Sequence, residues 1–169
     1  MKMTVILVSS FVIILLVCMS ACARKQAKRG NAMEKANPVS QDLQALSESI
    51  SLPFPPQSVQ WQEVTCGDGF LGPQDYTLVV ILHYTPEVAA QILGKTTVVC
   101  KAGTEVHSSD VIQDWFPSEL KAILAKEKTT HKYQEDRREP TLFRKGAFQD
   151  GYVAAVPGTG QLWLTLMTH

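Results

Sequence analysis

Cys66 and Cys100 carry the widest chemical repertoire in this chain outside its apolar start, and they form an even pair. In an oxidising compartment such a pair is expected to be bridged. The bridge would close a loop of about 35 residues, worth roughly 3.8 kcal/mol on chain-entropy grounds. The competing chemistry is nucleophilic, with Cys66 of Cys66-Gly67-Asp68-Gly69 as a reactive thiol and His83 as its base. Asp68 argues against it, because an adjacent carboxylate opposes formation of the thiolate.

The remaining candidates are sparser. No Cys-x-x-Cys or His-x-x-x-His spacing is present, so no metal site is expected. Gly158-x-Gly160 lacks the third glycine and the following helix of a dinucleotide loop, and it reads as a turn. There is no Gly-x-Ser-x-Gly elbow, and Ser108-Ser109-Asp110 reads as a helix cap rather than a nucleophile site. His83 ends an apolar run, where a hydrogen-bonded structural histidine is the simpler reading than a general base. Glu63 and Asp75 are the carboxylates that a hydrolase reading would place together in a cleft. Glu135-Asp136-Arg137-Arg138-Glu139 reads as a solvated charged face or, alternatively, as a docking patch for a charged partner. Phe70-Leu71-Gly72-Pro73 places large apolar groups in a restricted connector. Phe70, Leu71 and Pro73 then form either a partner-binding loop or a cap on the core. No cofactor is implied.

The elements that position these residues follow from periodicity and punctuation. Ser40 to Ile50 reads as a short helix capped by Ser40, stopped by Pro53, Pro55 and Pro56. Val59 to Thr65 and Thr77 to Tyr84 read as strands, the second apolar on both faces and hence central. Thr85-Pro86-Glu87 starts a helix that Gly94 ends. Thr96 to Cys100 is another strand, and Ser109 to Lys126 a helical region broken before Pro117. Lys128 to Pro140 is polar enough to read as a surface loop. Thr141 to Phe148 is a weak strand, and Tyr152 to Val156 with Gln161 to Met167 form a hairpin around Pro157-Gly158-Thr159-Gly160. The expected class is α+β, with a mostly antiparallel sheet of five or six strands and two or three helices packed on one face.

Met1 to Ala23 sets the address. Lys2 precedes an unbroken apolar run from Val5 to Met19, which ends in small residues. Met19-Ser20-Ala21-Cys22 resembles the lipobox of bacterial lipoprotein precursors, although the family usually has Leu where Met19 stands. The resemblance covers the signal alone. It implies removal of residues 1–21, acylation of Cys22 and attachment to a lipid bilayer through that residue. Several acyl chains make such an anchor stable, at roughly 0.8 kcal/mol per buried methylene. Two other readings stay open: ordinary cleavage releasing a chain that begins at Arg24, or an uncleaved membrane helix with the domain on the cytoplasmic side. Ala23 is not the aspartate that lipoprotein families often use for inner-membrane retention. This points to the outer membrane, facing the periplasm, in a Gram-negative host.

On this reading residues 22–52 comprise the acylated terminus, a basic tether and the short helix, and residues 53–169 a single domain. From Cys22 to Lys35 five basic residues face Glu34; from Ala36 onward ten basic residues face fifteen acidic ones. An acidic domain excludes nucleic acid as an expected partner. What remains is a non-catalytic envelope lipoprotein that binds a protein or cell-wall partner as inhibitor, immunity or assembly factor. The alternative is a small envelope hydrolase.

Overall fold

Branched apolar side chains on both faces of a strand demand cover on both sides, and the architecture supplies it around the run Leu78-Val79-Val80-Ile81-Leu82. The computed structural model describes residues 35–66, 75–105 and 112–168. Its elements in chain order are β1 (Lys35–Ala36), α1 (Leu43–Ser49), β2 (Ser58–Cys66), β3 (Asp75–His83), α2 (Pro86–Gly94), β4 (Val98–Cys100), α3 (Ser118–Thr130), β5 (Arg137–Arg138), β6 (Asp150–Val156) and β7 (Gln161–Met167). The strands form one antiparallel sheet in the order β1-β2-β3-β7-β6-β5-β4. The α+β class is as the sequence implies.

Register sorts the side chains. Trp61 pairs with Val80 and Val80 with Leu164, so Val59, Leu78, Val80, Leu82, Leu162, Leu164, Leu166 and Val153 share one face. Leu46 of α1, the adjacent Ile50, and Ala89 and Ile92 of α2 pack on it, joined by Phe143 and Phe148. The opposite face carries Ile81, Trp163, Ala154 and Val156, and Leu120 and Leu124 of α3 cover it together with Phe116. Two helices therefore lie on the expected face and the third on the other. This division explains why β3 and β7 are apolar on both sides.

Local chemistry accounts for most ends. Asp42 rather than Ser40 caps α1, accepting from the Ala45 N–H at 3.0 Å, while Ser40 Oγ accepts from the Asp42 N–H. Thr85 caps α2 and Pro86 opens it. α3 runs on to Thr130 and stops at His131, a left-handed residue with φ 52°, so part of the expected 128–140 loop is helix and Arg137–Arg138 is strand. Thr141 to Phe148 is a series of turns rather than a strand, yet it delivers Phe143 and Phe148 to the core. Helix α1 packs on the sheet through Leu46.

The expected Cys66–Cys100 bridge is not formed. Cys100 is a free, half-buried thiol. Four strands, β3, β7, β6 and β5, separate β4 from β2. At about 4.8 Å per strand the two backbones stand roughly 24 Å apart, well outside disulfide reach.

Candidate functional site

The site grows from an interruption in pairing along the outer edge of β2. Residues 35–40 run antiparallel to that edge: Lys35 lies opposite Thr65 and Ala36 opposite Val64. The Asn37 N–H donates to the Glu63 carbonyl at 2.9 Å, and Ser40 and Trp61 exchange both of their main-chain bonds at 2.8 and 2.9 Å. There the neighbouring segment leaves the edge. The Trp61 indole N–H donates to the Asp42 carbonyl at 3.0 Å, which pins the departure, and the chain turns into α1.

Val59 lies just beyond. In an antiparallel strand the main-chain groups of alternate residues point to the same side. Trp61 and Glu63 direct theirs outward, so Val59 does so too. Its side chain is buried in the core. Among the described residues, no group hydrogen-bonds to its outward N–H or C=O. These two dipoles border an open cleft of about 410 Å³ lined by Gln41, Leu43, Gln57, Ser58, Val59, Gln60 and His83. Leu43 is exposed on one wall. His83 pairs with Ser58 across the β2–β3 ladder, and its Nδ1 lies 3.5 Å from Gln161 Nε2.

The lining contains no Asp, Glu, Lys or Arg and is rich in amides that both donate and accept. Asp42 lies between the lining residues Gln41 and Leu43. From Ala36 to Gly94 the sequence has no Lys or Arg, although Lys145 Nζ donates to the Ser47 carbonyl of α1 and Lys95 lies over the Phe54 ring.

The catalytic candidates do not assemble. Glu63 shares a face with Trp61 and Leu78, whereas Asp75 pairs with Cys66 and belongs to the other face, so the sheet itself separates the two carboxylates. Asn37 Nδ2 donates to Glu63 Oε1 at 3.2 Å. Cys66 and His83 stand at opposite ends of the β2–β3 ladder, about 27 Å apart at ~3.4 Å per residue, which removes His83 as a base for that thiol. No group of three potential metal ligands occurs among the described residues. Cys22, the loop residues Phe70, Leu71 and Pro73, and Ser108-Ser109-Asp110 lie outside the described residues.

A second centre is sealed. Arg137, read as part of a solvated face, is 2% exposed, and its Nη2 donates to both Glu127 oxygens at 2.9 and 2.7 Å. Its guanidinium lies 4.3 Å from the Trp163 ring centroid and 5.0 Å from those of Tyr133 and Tyr152. Glu127 Oε1 also accepts from the Gln134 N–H at 2.8 Å, so one carboxylate closes the loop after α3 and neutralises the arginine. The neighbouring Glu135 carboxyl is raised above its ordinary range, chiefly by burial, with the Arg137 charge opposing. Arg138 donates from Nη1 to the Leu93 and Thr96 carbonyls. Arg137 is therefore internal scaffolding, whereas Glu135, Asp136, Arg138 and Glu139 are partly exposed.

No protein-family model, curated protein or solved structure matches this chain.

Proposed function

We propose that the chain is an envelope lipoprotein, held to a bilayer through acylated Cys22, whose globular domain is a non-catalytic module binding a protein or cell-wall partner. The observation that carries the binding part is the position of the cleft. The cleft opens at Ser58 and Val59, where residues 35–40 no longer cover the edge of β2. The separation of Glu63 from Asp75 and of Cys66 from His83 supports binding over hydrolysis. Ala23 after the acylated residue favours the outer membrane, periplasmic side.

Among the described residues no helix is long and apolar enough to cross a membrane, so anchorage in this proposal rests on the signal segment. Growing the producing cells with radioactive palmitate tests it. Label is expected on the wild-type protein and absent from Cys22→Ser; label retained in the variant, or missing from both, would refute the anchor.

A further inference from the structure

We propose that the open edge of β2 at Val59 receives an extended peptide segment of a partner protein, neutral to basic in character, which adds as a short strand beside Ser58–Gln60. This deepens the binding reading above and rests on it. The physical warrant is the pair of outward main-chain groups at Val59. A strand edge with free N–H and C=O groups is a template for another extended chain, and main-chain bonds supply its affinity while flanking side chains supply its selectivity. Folded proteins usually blunt such edges with Lys, Pro or a covering segment. Here residues 35–40 cover β2 only as far as Trp61, and the uncovered stretch Ser58-Val59-Gln60 contains neither Lys nor Pro.

The walls add discrimination. Gln41, Gln57 and Gln60 offer amide donors and acceptors to the polar groups of an incoming chain, and Leu43 offers an exposed apolar contact. Asp42, between the lining residues Gln41 and Leu43, disfavours an acidic segment and favours one flanked by cations. A glycan is the poorer fit, because none of the seven lining residues brings a flat aromatic ring of the Trp, Tyr or Phe kind on which a sugar face can stack.

The test is amide hydrogen exchange read at Val59 in the full-length protein, purified from membranes in detergent. The probe is a capped octapeptide of alternating Thr and Val with a Lys at each end. Three controls accompany it: the same peptide N-methylated at alternate residues, its Glu-ended counterpart, and a wall-derived tetrasaccharide. At about ten times its dissociation constant the Lys-ended peptide is expected to slow exchange at Val59 about tenfold. The N-methylated peptide should leave the rate unchanged, and the Glu-ended peptide should bind more weakly. Gln57→Trp, a change at an exposed wall position, should abolish the protection by the Lys-ended peptide. Unchanged exchange with millimolar peptide overturns the inference, as does protection by the tetrasaccharide alone or protection indifferent to N-methylation. Loss of the peptide effect with palmitate still on Cys22 sinks this inference and spares the anchor; Val59 protection in an unlabelled protein does the reverse.

Discussion

Arg137 illustrates how far one side chain can depart from its compositional default. A buried ion pair adds little over apolar residues of the same shape, but removing one partner strands the other charge away from water. Arg137→Ala is therefore expected to cost about 3–5 kcal/mol in urea unfolding, because the Glu127 carboxylate keeps its buried position without the guanidinium. Combining Glu127→Leu with Arg137→Met should recover most of that loss, and a double variant as unstable as the single one would contradict the account. Tyr84 gives a second test. Its phenol is buried, donates to the Phe54 carbonyl at 3.2 Å, and is pushed by burial from 10.0 up to about 12. The native state thus holds this proton to higher pH than the unfolded chain does. Its contribution to stability is complete below pH 10 and disappears as pH rises toward 12. Unfolding free energies measured across that range should fall more steeply for wild type than for Tyr84→Phe.

At the scale of elements, legibility followed the locality of the signal. α2 was readable because Thr85, Pro86 and Gly94 punctuate it within ten residues, and the β6–β7 hairpin because its turn residues sit between two apolar runs. α3 overran its expected end because His131 performs the left-handed turn usually given to glycine. The neighbours of β4 were not readable at all, since its partner β5 lies some 37 residues away and consists of two arginines. The open edge of β2 was equally hidden, because it is made of main-chain atoms that every residue type shares. Two of the three glycines in the hairpin differ in consequence. A Cβ on Gly151, at φ 126°, would collide with the Thr165 carbonyl, whereas one on Gly158, at φ 74°, meets nothing within 4 Å. Gly151→Ala should lower stability by on the order of 3 kcal/mol or more, and Gly158→Ala by only about 1–2 kcal/mol, in thermal unfolding of the two variants.

For the whole molecule, sheet order decides more than composition. Interposing β3, β7, β6 and β5 between the two cysteines leaves Cys100 a free thiol, so the domain is held together by packing on both sheet faces without a covalent cross-link at that position. The same order keeps the acidic N-terminal portion, with its uncovered edge, at one side and the Arg137 centre toward the other. The sheet speaks to how a partner could be held, and the proposed anchor to address.

The seam between residues 35–40 and β2 has a mechanical meaning. Tension applied at Lys35 along the strand axis pulls against the bonds at Glu63 and Trp61 together, in shear, with the Trp61 indole clamped to Asp42 as a backstop. Load taken up there spreads over several bonds at once instead of breaking them in succession, so a pull on Lys35 meets this seam before it reaches the core.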